Sequence, residues 1–334
     1  MADGTLWIAS DIGGISILDL HSITFRNPES IRFHNITADN GKHGVSSGNI
    51  RSLLQDSFGN IWIGNYGSGI DFISHTQPVF HSLPYMTGNG KELKYKPVWG
   101  LCKDAKEQIW LGGENEVCLF KDNKFIKSID ITSQLSRPYG QVFSIINAED
   151  DILLLGIYDD GLLKYNTNTN HIERILLDIE NIDIITFFKD TDGTIYIGAE
   201  YGIYTYTDGI LNKENNITKL LPDKSVYGIC RDRQGKLWVG TYGGGIAIFN
   251  KDNTLLTILS TNTSFCSNAI NHLHMDIQGG IWAATRNGIG YIKDTNRPEV
   301  FEFYGYSQGL EDTFVRTIQA VSYTHLTLPT ILRV

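Results

Sequence analysis

This sequence predicts an all-β fold, a seven-bladed β-propeller of four-stranded antiparallel blades. Three observations predict it. One short phrase recurs seven times, the copies follow one another at the spacing of a propeller blade, and the two ends of the chain complement each other as the ends of a closed ring would.

The phrase runs "DGTLWIASDIGGISIL", "SFGNIWIGNYGSGIDFI", "AKEQIWLGGENEVCLF", "EDDILLLGIYDDGLLKY", "TDGTIYIGAEYGIYTY", "RQGKLWVGTYGGGIAIF" and "IQGGIWAATRNGIGYI". Its aligned large residue is Trp7, Trp62, Trp110, Leu154, Tyr196, Trp238 and Trp282, at intervals of 55, 48, 44, 42, 42 and 44 residues. Within a unit, a run such as "IRSLLQD" or "VYGICRD" reads as the first strand. A turn with Asp and Gly ("DSFGN", "DRQGK") suits a hairpin into the short strand "IWIG" or "LWVG". A Gly-rich bend leads to a third strand ("GIDFI", "GIAIF"), and a more variable run ("KFIKSI", "LLTIL") supplies the fourth. Long amphipathic helical periodicity is absent, and 16 Tyr and 15 Phe agree with β structure.

Two features of the phrase have structural roles. The residue two after the aromatic is always small (Ala9, Gly64, Gly112, Gly156, Gly198, Gly240, Ala284), as face-to-face packing of neighbouring blades requires. A later glycine (Gly14, Gly69, Gly161, Gly202, Gly245, Gly288) suits positive φ at the turn into the third strand, and the third copy breaks this rule with Glu116-Val117. The aromatic itself reads as a wedge between sheets.

The first unit lacks an innermost strand before Asp3, whereas "TFVRTIQA" (Thr313 to Ala320) follows the last unit and matches "GNIRSLLQ". The strand Phe314 to Gln319 is therefore expected to complete the first blade and close the ring. This makes residues 1–320 one propeller. Residues 321–334, "VSYTHLTLPTILRV" from Val321, lack the repeat's turn and strand and read as a non-native tail.

Composition narrows the function classes. The net charge of −9 argues against a dedicated nucleic-acid binder and against an electrostatic membrane anchor. No apolar run approaches a membrane span. Met1-Ala2-Asp3-Gly4 leads straight into a strand-like run without a signal-peptide pattern, which fits a cytosolic chain or a segment of a longer one. Cys102, Cys118, Cys230 and Cys266 fit no zinc spacing or dense disulfide framework and read as small buried residues.

The repeat "NIRSLLQDSFGNIWIGNYGSGIDFI" resembles the two-component regulator propeller repeat. Arg51, Asp56, Gly59, Asn60, Trp62, Gly64, Tyr66, Gly67 and Gly69 carry the resemblance, and Asp232, Gly235, Trp238, Gly240, Tyr242, Gly243 and Gly245 repeat it; the fourth unit departs most. It implies a periplasmic sensor region of a Bacteroidetes hybrid histidine kinase. Neighbouring propeller and β-sandwich domains, a membrane helix and the signalling modules would then lie elsewhere in a longer, possible homodimeric parent. It further implies response to oligosaccharides. No position here matches a kinase motif, so the segment itself is expected to be non-enzymatic and to need no cofactor.

Function should then lie where the copies disagree. The position four after the aromatic is Asp11, Tyr66, Glu114, Tyr158, Glu200, Tyr242 and Arg286; the position opening the innermost strand is Arg51, Trp99, Phe143, Ile185, Tyr227, Asn271 and Arg316. Both should reach the same end of the channel. Aromatic faces there would cover the C–H patches of a sugar, while Glu, Asn and Arg groups bond its hydroxyls. The predicted ligand rim is Arg51, Tyr66, Trp99, Glu114, Tyr158, Glu200, Tyr227, Tyr242, Asn271, Arg286 and Arg316. A scaffold propeller that docks a partner is the alternative, and a propeller lyase a weaker one. The lyase would have to draw on His272, His274, Glu114 and Glu200, and the His272–His274 pair shows no third metal ligand.

Overall fold

The computed structural model describes residues 4–20, 31–38, 44–74, 80–83, 97–179, 181–213 and 215–322. Seven four-stranded antiparallel sheets follow one another. Blades 2 to 7 each use four consecutive strands, and their innermost strands are Ile50–Gln55, Gly100–Lys103, Val142–Glu149, Ile184–Lys189, Val226–Arg231 and Ile270–Met275. Blade 1 is composite. Its innermost strand is Val315–Ser322, which pairs antiparallel with Gly4–Ser10, and Ile15–Asp19 and His34–Ile36 complete it. Each innermost strand touches the next around a closed circle.

Ring closure by the C-terminal strand is thus as expected, with different bounds. Phe314 lies outside the strand, and pairing continues through Val321 and Ser322, opposite Thr5 and Gly4, two residues past the expected domain boundary at 320. The rest of the expected tail, 323–334, lies outside the described residues.

Each wedge residue fills the core between its own blade and the next. Trp282 packs with Leu6 and Ile8 of blade 1, Trp110 with Ile145 and Leu155 of blade 4, and Trp238 with Leu273 and Ala283 of blade 7. Leu154 and Tyr196 occupy the same place in smaller form. The small residue two further on permits this approach. A Cβ on Gly112 would stand 2.4 Å from the Val142 carbonyl oxygen of the next blade, and one on Gly240 would stand 2.5 Å from Ile270. In the third unit, where the later glycine is missing, Asn115 takes the left-handed conformation instead (φ 62°), one residue before Glu116. Asparagine tolerates this region because its side chain can bond locally, and here Oδ1 accepts from Gly140 N–H at 2.7 Å.

A buried aspartate ties the wedge to the hairpin. In blade 6, Asp232 Oδ1 accepts from the Gln234 and Lys236 amides at 2.9 and 2.8 Å, while Oδ2 accepts from Trp238 Nε1 at 3.1 Å. Asp56, Asp104 and Asp276 make the same three-donor contact with Trp62, Trp110 and Trp282. In blade 5, where Tyr196 replaces Trp, Arg231 bridges Asp190 and the Tyr196 hydroxyl at 2.6 and 2.9 Å. All four cysteines are free; three are buried and Cys266 is partly so.

Replacing Asp232 by Ala strands three donors, one of them fully buried, and each such loss is worth about 1–3 kcal/mol. Asp232→Ala should lower stability by about 3 kcal/mol or more in urea denaturation. Glu, which keeps the charge but displaces it by a methylene, should recover only part of that.

Candidate functional site

The innermost strands share a local irregularity. The register slips by one residue between Ile50 and Ser52, Val142 and Ser144, Ile184 and Thr186, Val226 and Gly228, and Ile270 and His272. It slips again between Val315 and Thr317 in the closing strand. The bulged residues are Arg51, Phe143, Ile185, Tyr227, Asn271 and Arg316. Trp99 holds the equivalent place in blade 3, just before its strand, with its amide bonded to the Gly112 carbonyl at 2.9 Å. A bulge frees a residue from the ladder and re-aims its side chain. All seven of these side chains line one cavity of about 190 Å³ at the channel mouth, together with Thr186, His272 and Thr317.

The other predicted set forms a second, outer tier. Tyr66 packs edge-on against Trp99 (5.2 Å between centroids), Tyr158 lies tilted against Phe143 (4.8 Å), and Tyr242 stacks on Tyr227 (5.1 Å). Arg51 lies over the Tyr66 and Trp99 rings at 4.7 and 5.5 Å. Arg286 lies over Tyr242 and Phe314 at 5.3 and 4.9 Å, and Arg316 over Phe314 at 4.2 Å. Asp11 Oδ1 joins Arg51 and Arg316, 3.4 Å from one Nη1 and 3.1 Å from the other's Nη2. The contacts leave Tyr66, Tyr158 and Tyr242 between 36% and 45% exposed, so the outer tier presents aromatic surface to solvent.

Two predicted members stand apart. Asn271 lines the cavity but is only 8% exposed, and its Nδ2 donates to the Val315 carbonyl at 2.7 Å, so its amide serves ring closure. Glu114 is exposed, bridges to Gln141 through the backbone, and does not line the cavity. One residue was missed. Asp183, two before Ile185, accepts the Asp159 amide at 2.6 Å. Burial, with Glu200 and Asp159 nearby, pushes its carboxyl up from 3.8 to about 6. Asp183 also leads the negative charges that push up the Tyr158 hydroxyl. Only its place in the loop before the innermost strand could have flagged it.

His272 and His274 turn to the closing strand. His272 Nδ1 accepts from Ile318 N–H at 3.4 Å, and His274 Nε2 from Ala320 N–H at 3.3 Å. Burial holds both imidazoles far below their usual 6.5, at about 3 and about 4. Neutral rings used as acceptors in this way are structural. They are poorly placed to join Glu114 and Glu200 in a lyase, and among the described residues no group of three side chains is set to hold a metal.

The sequence profile described as "Two component regulator propeller" matches residues 44–67 and 220–243, which hold Tyr66 and Tyr242 with their scaffold glycines. Two stretches of the chain, in blades 2 and 6, thus match the two-component regulator propeller repeat. The extracellular domain of a hybrid two-component system from B. thetaiotaomicron is 28% identical with a TM-score of 0.61, over 93% of this chain and 40% of that one. A curated relative, "Histidine kinase P4" of Formosa agariphila, is 23% identical over 190 residues, 52% of this chain and 14% of its own length. This propeller therefore spans less than half of either signalling relative. Streptogramin B lyase shares the fold at a TM-score of 0.67, over 87% of this chain and 90% of that one, with 17% identity. No helix among the described residues is long and apolar enough to cross a membrane.

Two pH-dependent outcomes follow from these groups. Between pH 6.5 and about 4 the unfolded chain binds protons that His272 and His274 do not, so their contribution is complete above pH 6.5 and is lost as pH falls through that window. The urea midpoint should drop less between pH 7 and pH 4.5 in His272→Asn/His274→Asn than in the parent. Asp183 has the opposite sign. Between 3.8 and about 6 the native state holds a proton the unfolded chain has released, so its contribution weakens as pH rises. Asp183→Asn should raise the melting temperature at pH 8 and leave it unchanged at pH 3.5.

Proposed function

We propose that this chain is the ligand-sensing propeller of a two-component system, lying outside the cytoplasmic membrane in the periplasm. It takes an oligosaccharide at the channel mouth and passes the event to a kinase elsewhere in a longer parent, without catalysis of its own. The observation that carries this reading is the convergence of the seven bulge-position side chains on one cavity, while the residues around them repeat from blade to blade. A scaffold has no need to vary chemistry at one inward position and hold it constant elsewhere.

The surface suits a sugar. Trp99, Phe143 and Tyr227 supply ring faces and Arg51 and Arg316 charged donors in the cavity, while Asp183 and Glu200 lie outside its lining, close enough for their charges to act on Tyr158. The cavity's 190 Å³ is below the roughly 300–1,000 Å³ that encloses a drug-sized molecule. It therefore fits one sugar unit, with the rest of the glycan over the exposed outer tyrosines. Relay is a population shift: bound glycan favours one arrangement of this propeller against its neighbouring propeller and sandwich in the dimeric parent.

Thermal-shift screening of the chain against an oligosaccharide panel should show stabilisation by at least one glycan. Tyr66→Ala and Trp99→Ala should each weaken that glycan at least tenfold, about 1.4 kcal/mol. Unchanged affinity in both variants would remove the rim as the site.

A further inference from the structure

Charge on the rim is segregated. Arg51, Arg286 and Arg316 lie along one arc, and Asp11 is the one carboxylate among the described residues that pairs with any of them. Asp11 Oδ1 serves both Arg51 and Arg316, and it also accepts from Arg316 Nε at 3.2 Å. Arg286 has no ion pair among the described residues and rests on the Tyr242 and Phe314 rings. Burial, and then the neighbouring Arg316 charge, holds the Arg51 guanidinium below its usual range. The arc therefore carries more positive charge than its own acid neutralises, within a chain whose net charge is −9.

The other arc is acidic. Asp183 and Glu200 have no Lys or Arg partner among the described residues, whereas nearby Asp159 is paired with Arg137. Each Arg of the basic arc lies with its guanidinium carbon over an aromatic ring. Stacking uses the face of a guanidinium and leaves its in-plane N–H groups to bond a planar anion. A guanidinium has more donors than one carboxylate oxygen can take.

We propose that the sugar unit seated at the channel mouth is a uronate, with its carboxylate between Arg51 and Arg316 and its hydroxyls donating to Asp183 and Glu200. This rests on the glycan-sensing reading above and narrows it to acidic glycans. A neutral sugar would leave the basic arc uncompensated, because a hydroxyl carries no charge to place there. A carboxylate matches the fork of a guanidinium in shape as well as charge. The carboxylates of Asp183 and Glu200 can only accept when ionised, which suits the hydroxyl edge of the same ring.

The test is isothermal titration of the full 334-residue chain with oligomers of galacturonate, mannuronate and glucuronate, each beside its methyl ester, and with neutral malto- and cello-oligosaccharides. At least one free acid should bind tenfold or more tighter than its own ester. Raising sodium chloride from 50 to 500 mM should weaken the acid and leave the ester unchanged. Arg316→Gln should cost the acid at least tenfold and spare the ester. Arg51→Gln, on the other side of the carboxylate, repeats the test if Arg316→Gln does not fold. Equal affinity for acid and ester, or binding of neutral glycans alone, overturns the uronate assignment and leaves the sensing reading standing. Binding of no glycan, acidic or neutral, overturns both.

Discussion

The contact on which the rest of the propeller depends is a buried carboxylate that bonds a turn with one oxygen and a tryptophan with the other. In four blades an aspartate six residues before the wedge accepts two turn amides and the indole N–H. A carboxylate removed from water is tolerable only when its lone pairs are taken, and here the donors come from two levels of structure. The turn amides fix the hairpin. The indole fixes the large side chain that separates this blade from the next. Blade geometry and inter-blade spacing are thereby set by one side chain. Where Tyr196 stands in for Trp, Arg231 restores the link to Asp190.

Close packing then places the candidate site. Glycine or alanine after the wedge lets the next blade's innermost strand approach at its first residue, as Gly112 does to Val142 and Gly240 to Ile270. The very next residue is the bulge in each case, Phe143 and Asn271. In six blades the ladder is pinned on one side by inter-blade contact and slips on the other, releasing one side chain toward the axis; in the third, Trp99 takes that place just before the strand. The scaffold makes seven such positions whatever residues fill them, which separates the part of the sequence that folds from the part that varies.

That separation explains what was legible. The aromatic period, the small residue and the matching termini each report a packing demand that every blade repeats, so blade number, strand order and closure could be read. The two rim positions were legible as places in a register, and the inner seven do meet. Their tiering was not, because it follows from a bulge that leaves no mark in composition. Asn271 shows a further limit: an amide at a rim position bonded backbone across the seam, a partner 44 residues away. Asp183 escaped notice because it sits in a loop outside the aligned positions, and its proximity to Asp159 and Glu200 exists only in the folded ring.

The seam of that ring and the basic arc coincide. Arg316 lies on the closing strand, Asp11 on the loop of blade 1 that this strand completes, and Arg51 on blade 2. Closure has no covalent bond among the described residues; it rests on the strand ladder, on His272 and His274 accepting from the closing strand, and on the Asp11–arginine bridge. That bridge is partly exposed, and exposed pairs contribute little on their own. An anion shared by Arg51 and Arg316 would tie the same strand to blade 2 by a second route, and any ligand that binds only the closed ring stabilises it by mass action. Under the uronate proposal, recognition and closure would draw on the same two arginines. An anion bound there would change how firmly the closing strand Val315–Ser322 is held against blade 2.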